Sequence, residues 1–169
     1  MSAPTLRTER LVMRGWRTSD RAAFAAMNAD PKVMEHFPGT MTRAESDGFA
    51  DRIETHFAEH GFGLWAVELR ATGEFIGDCG LVYVEGKGPE VEVAYHFAKE
   101  WWGRGLATEA ATACLDYGFR ELGLREIIAI CFPEHVASRR VMEKAGMRYV
   151  GPARYYELDL VKYVANDRR

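Results

Sequence analysis

The chain has 169 residues, 47% of them hydrophobic and 28% charged, with a formal net charge of -3. Those values fit one globular domain and exclude a disordered or fibrous chain; the longest apolar runs, LVYV and IIAICF, fall far short of the roughly 20 residues of a membrane span. An acidic balance argues against a nucleic-acid binder, whose grip on phosphates rests on excess Lys and Arg, and an N-terminus without an apolar signal core points to the cytoplasm.

TERLVMRGW alternates and is rich in branched residues, which predicts a first strand from about Glu9 to Arg14. TSDRAAFAAMNADP opens with capping residues and stops at Asp30-Pro31, a first helix. TRAESDGFADRIETHFAEHG pairs Thr42 with Glu45 as a capping box and spaces Phe49, Ile53 and Phe57 four apart before Gly61, a second helix. FGLWAVELR and EFIGDCGLVYVE, separated by ATG, form an antiparallel hairpin, and PEVEVAYHF alternates as a further strand. After WWGRG, the residues Leu106, Ala110, Ala113, Cys114 and Tyr117 mark one face of a long helix ending near Gly123. REIIAICF has the composition of a strand buried on both faces. HVASRRVMEKAG is a last helix closed by Gly146, and MRYVGPARYYELDLVKYV supplies one or two final strands. Hairpin-joined strands followed by a strand-helix-strand crossover give an α/β chain of the α+β kind: one mixed sheet with helices on both faces.

Three cysteines, Cys79, Cys114 and Cys131, sit in apolar segments without metal-ligand spacing, so they read as reduced core residues and no metal is expected. Arginines cluster at Arg104 and at Arg139 and Arg140, where a compact anion is a better partner than a long polyanion.

The WWGRGLATEAA stretch places a glycine-rich turn between a strand and a helix. A helix N-terminus carries unpaired N–H groups and about half a positive charge, so it holds anions. Glycines at 103 and 105 let the backbone bend and a ligand approach, Arg104 adds a cation, and Thr108 adds a hydroxyl. The turn matches neither a Walker A loop nor a dinucleotide fingerprint, which would want Gly or Ala at Thr108. A lone Gly-x-Gly is more often only a tight connection between a strand and a helix than a ligand site.

VEVAYHFAKEWWGRGLATEAA resembles the acyl-CoA-binding motif of the GCN5-related N-acetyltransferases (GNAT), whose strand, Gln/Arg-x-x-Gly-x-Gly/Ala loop and helix carry the pyrophosphate of coenzyme A. PEHVASRRVMEKAGM is similar to the family's second motif, and TERLVMR to the opening of the subgroup that acetylates ribosomal-protein N-termini (RimJ/RimL-type). The likeness runs from Thr8 to about Val164 and implies a GNAT fold over residues 1–169, with about six to seven mostly antiparallel strands and about four helices. It implies acetyl-CoA as co-substrate, held by Gly103, Arg104, Gly105, Leu106, Ala107 and Thr108, with backbone at Tyr95 and Phe97 on a strand that splays from its neighbour after a β-bulge. His135 would help position the cofactor or a water. Two positions depart from the family pattern. Trp102 replaces Gln or Arg in the loop, and Met142 stands where many relatives carry a tyrosine that protonates the leaving thiolate. Ser138 is the substitute acid that the subgroup likeness offers.

The implied reaction is direct attack of a neutral primary amine on the thioester, with the Phe97 N–H as oxyanion donor. An α-amino group with pKa about 8 is roughly a tenth neutral at pH 7, whereas a lysine at about 10.4 costs roughly 3 kcal/mol more to deprotonate. Glu90 and Glu92 lie two apart on one strand and share a face; Glu92 is the first candidate base, ahead of Glu90 and Asp78. His36, His56, His60 and His96 have no partner that the sequence identifies. The two N-terminal helices, the loop from Glu35 to Thr42 and the last strands wall the acceptor groove in relatives, which makes Phe37, Trp65, Tyr155 and Tyr156 candidates to shape it. A protein N-terminus, an amino sugar, a polyamine or a small metabolite all remain open as acceptor, as do a monomer or homodimer. A non-catalytic acyl-CoA-binding module is the alternative.

Overall fold

The computed structural model describes residues 2–169. In chain order the elements are β1 (Leu6–Arg7), β2 (Leu11–Arg14), α1 (Asp20–Ala29), α2 (Arg43–His60), β3 (Leu64–Leu69), β4 (Phe75–Tyr83), β5 (Val91–Phe97), α3 (Leu106–Arg120), β6 (Glu126–Cys131), α4 (Val136–Lys144), β7 (Arg148–Tyr155) and β8 (Leu158–Asn166). One eight-stranded sheet has the order β1-β2-β3-β4-β5-β6-β8-β7. The additional strand relative to the sequence reading is β1, two residues long and too short to leave an alternating pattern. None of the helices described is long and apolar enough to cross a membrane.

All neighbouring strands pair antiparallel except β5 and β6. The larger core lies under α3 and α4, where Val91, Val93 and Phe97 of β5 meet Leu106, Ala110 and Cys114 of α3 and Met142 of α4. A second cluster, Phe24, Ala50, Ile53 and Leu64, packs α1 and α2 on the opposite face. Successive side chains of β5 therefore divide between the two layers, as strand geometry requires.

Local signals explain most boundaries. The Thr42–Glu45 capping box forms in both directions, and α2 ends on Gly61 at φ 77°. Ser19, in contrast, makes no side-chain cap on α1; the Asp20 carboxylate instead accepts from the Arg17 amide at 2.7 Å and from Arg14 at 2.8 and 2.9 Å. Cys79 and Cys114 are buried free thiols with their sulfurs 3.6 Å apart, while Cys131 is only half-buried.

Candidate functional site

The glycine-rich turn joins β5 to α3. Gly103 and Gly105 adopt φ 74° and 77°, where an L side chain is strained, and Gly105 is the α3 N-cap without any side-chain cap. The first intrahelical bond runs from the Glu109 amide to the Gly105 carbonyl, so the amides of Leu106, Ala107 and Thr108 precede the helical ladder. A Cβ built on Gly103 would meet nothing within 4 Å, so backbone angle rather than crowding selects glycine there.

The turn is braced from the connection between β1 and β2. Arg10 donates from Nη1 to the Arg104 carbonyl at 2.9 Å and from Nε to Glu109 at 2.7 Å, while the Thr8 hydroxyl donates to the same carboxylate at 2.6 Å. Burial alone would raise the Glu109 carboxyl, but these bonds outweigh it and hold the group below its ordinary range. The Arg104 guanidinium lies over the Trp101 ring at 4.9 Å. The TERLVMR segment thus has a physical role that its sequence did not disclose.

Next to the turn, β5 presents a free edge. At the two ends of the β4–β5 ladder the Val84 amide donates to the Glu90 carbonyl at 3.0 Å and the Ala98 amide donates to the Ile76 carbonyl at 2.9 Å. Even-numbered β5 residues therefore bond toward β4, and the amides and carbonyls of Tyr95 and Phe97 point to the other edge. There β6 pairs only once, at Glu92 and Ile128, and then diverges. The splay was expected; the bulge was not found, because the β4–β5 register runs unshifted from Gly77–Phe97 to Tyr83–Val91. The Phe97 carbonyl is not free either. Trp102 donates its indole N–H to it at 2.9 Å, tying strand to turn where relatives carry Gln or Arg.

Across this cleft stands α4. Ser138 is buried, and the Tyr95 hydroxyl lies 2.9 Å from both its Oγ and its carbonyl oxygen. Burial pushes the Tyr95 phenol well above its ordinary range, so it stays protonated. Sequence reasoning assigned Tyr95 a backbone role only. Met142 is a buried core residue, 2% exposed. His135 caps α4, its Nδ1 accepting from the Ser138 amide at 3.4 Å, and stacks on His36 at 3.9 Å. Burial, with His36 beside it, lowers His135 to about 4. Arg139 is committed elsewhere: it donates to the Tyr163 hydroxyl at 3.0 Å and the Pro133 carbonyl at 3.0 Å.

The other face of β5 carries Glu92, Ala94 and His96. Glu92 is only 8% exposed and accepts a hydrogen bond from the Tyr156 hydroxyl at 2.9 Å. Burial pushes its carboxyl up to about 7, with the Tyr156 bond opposing. Glu90 does not share this state, although it shares the face. It binds Lys162 at 2.8 Å and the Tyr155 hydroxyl at 2.9 and 3.0 Å, and the Lys162 bond holds it below its ordinary range. Tyr156 is fixed by the Glu85 carboxylate, which accepts from its amide at 2.6 Å, and by the Glu85 amide, which donates to its hydroxyl at 2.9 Å. Phe37 covers His96 with ring centroids 5.0 Å apart. Trp65 takes no part: it is fully buried, donating to the Pro4 carbonyl at 2.7 Å. Among the described residues no group of three or more His, Cys, Asp or Glu side chains is arranged to hold a metal ion.

Residues 10–148 match the family model of the acetyltransferase (GNAT) domain. The chain belongs to the GNAT acetyltransferases. It is similar to the uncharacterized N-acetyltransferase YnaD of Bacillus subtilis, 35% identical over 146 residues that cover 85% of this chain and 82% of that protein. Among solved structures, an acetyltransferase from Agrobacterium tumefaciens superposes with a TM-score of 0.87 at 28% identity, covering 99% of this chain and 96% of that one. The aminoglycoside acetyltransferase AAC(6')-Ib, solved in complex with coenzyme A, shares the fold at a TM-score of 0.79 and 18% identity over 94% and 95% of the two chains.

This GNAT is an acyl-CoA-dependent N-acyltransferase with acetyl-CoA as its co-substrate. The residues present fit that molecule: three helix-start amides outside the ladder can meet a diphosphate, and the free β5 edge can pair with an amide-bearing arm. Acetyl-CoA supplies an acetyl group as a thioester.

Proposed function

We propose that residues 1–169 form a single N-acetyltransferase domain that acetylates a primary amine, of a protein N-terminus or a small molecule, by direct attack. Glu92, five residues or about 16 Å along β5 from Phe97, takes the amine proton through intervening water. The Phe97 N–H, on the free β5 edge, stabilises oxygen charge, and the Ser138 hydroxyl, coupled to Tyr95, supplies a proton to the departing sulfur.

One observation carries this reading: the buried Glu92 carboxylate stands at the residue where β5 last pairs with β6, the closed end of the cleft. A base of pKa about 7 is matched to a reaction near neutrality, because it is substantially ionised there yet still takes protons. Glu90, already paired with Lys162, is the weaker base. A thiol-release screen across α-amines, lysine peptides and small amines tests the reading. At least one amine should be turned over, with large losses in Glu92→Gln and Ser138→Ala. Coenzyme A binding with no thiol release from any amine would leave only a binding module.

A further inference from the structure

The acceptor face of β5 holds a polar pair that the mechanism leaves unused. Asp78 of β4 lies opposite His96 of β5 in the ladder, its Oδ2 3.4 Å from the imidazole Nδ1. Their side chains are only 3% and 10% exposed, yet Asp78 Oδ2 and His96 Nε2 have no hydrogen-bond partner. Leaving buried polar atoms unpaired costs stability, and such sites in folded proteins mark where a water or a ligand completes the set.

The position of the pair limits what that ligand is. His96 adjoins Phe97, whose N–H holds the reacting oxygen, so the pair lies within reach of a short amine under attack, while Glu92 stands four residues or about 13 Å back along the same face, with the small Ala94 between. Phe37, on the exposed loop between α1 and α2, covers the imidazole. The unpartnered carboxylate oxygen is an acceptor, and in the tautomer with its proton on Nδ1 the imidazole presents Nε2 as a second one. Such a subsite calls for a hydrogen-bond donor. The rest of the face is acidic, with Glu85, Glu90 and Glu92 on one side and Lys162 already paired to Glu90.

We propose that Asp78 and His96 form a recognition subsite for a second ammonium on the acceptor, reached when Phe37 is displaced, so that the preferred acceptors are small diamines rather than monoamines. This rests on acetyl transfer taking place at β5, and it is tested by a measurement that does not need turnover. Titration of diaminobutane and butylamine into the protein saturated with coenzyme A should show the diamine binding about tenfold tighter, the scale of one charge-assisted hydrogen bond. Asp78→Asn, which keeps the shape, and His96→Leu should each remove most of that preference without changing coenzyme A affinity. His96→Gln retains an acceptor atom and should recover part of it, which a purely structural role would not produce. Equal binding of the two amines by the wild type, or an undiminished preference in Asp78→Asn, overturns the subsite. Diamine preference without any thiol release in the acetyl-CoA-loaded protein would instead overturn the acetyl-transfer reading and leave the subsite standing.

Discussion

Replacing Glu92 by Gln should make the protein more stable and much less active. The carboxyl is pushed up to about 7 from an ordinary value of 4.5, chiefly by burial. That displacement corresponds to roughly 3 kcal/mol of penalty on the ionised form. The sign follows from linkage: a folded-state pKa above the unfolded one favours the fold below about 4.5, and this advantage is lost progressively as pH rises to about 7. Gln keeps an oxygen for the Tyr156 hydroxyl, 2.9 Å away in the wild type, but carries no charge to desolvate. The two proteins should therefore have similar stability near pH 4.5, diverge between there and about 7, and differ by a constant amount, at most about 3 kcal/mol, above it. Over the same range the variant's kcat/KM should fall by about 100-fold or more, the usual scale of a lost general base, and the wild-type rise in rate with an apparent pKa near 7 should disappear. Urea unfolding at several pH values, paired with a thiol-release pH profile, reads both quantities. Equal stability of the two proteins at pH 8 together with an unchanged rate profile would refute the reasoning.

Tyr156→Phe removes the hydroxyl donated to Glu92, and because Tyr156 is 45% exposed the loss is modest; the rate profile should move to higher pH by about one unit or less, and a shift to lower pH would contradict the assignment. Gly105→Ala places a side chain at φ 77°, which should cost about 1–2 kcal/mol in thermal unfolding and weaken coenzyme A binding by calorimetry. Ser138→Ala should lower kcat with little change in KM for acetyl-CoA, and Tyr95→Phe, which removes the hydroxyl 2.9 Å from Ser138, should do so to a smaller extent. Identical losses in KM and none in kcat would reassign this pair to cofactor binding.

The phosphate turn and the order of elements were legible because they rest on local rules. Glycine at positive φ, the Thr42–Glu45 box and strand alternation each leave a mark within a few residues. What escaped was non-local. The brace from Thr8 and Arg10 to Glu109 spans about a hundred positions, and nothing in either segment names the other. Glu90 and Glu92 look equivalent in PEVEVAYHF, yet the β7–β8 hairpin separates them by giving Lys162 and Tyr155 to one and Tyr156 to the other. Trp65 was a candidate groove residue because aromatics in cores and grooves carry the same signal; its burial comes from the packing of Phe57 and Tyr117 around it. The pairing of His96 with Asp78 follows from strand register, which fixes partners only after the sheet is assembled. Likewise, the tie from Trp102 to Phe97 depends on a turn whose shape glycine permits but does not dictate.

The contact on which the proposed activity most depends is that of coenzyme A phosphates with the α3 N-terminus. Titrating the isotope-labelled protein with coenzyme A while following backbone amide resonances tests this in solution. The largest downfield proton shifts should appear at Leu106, Ala107 and Thr108, with Gly103 and Gly105 moving alongside. Saturation with these amides unmoved and the main changes elsewhere would contradict it.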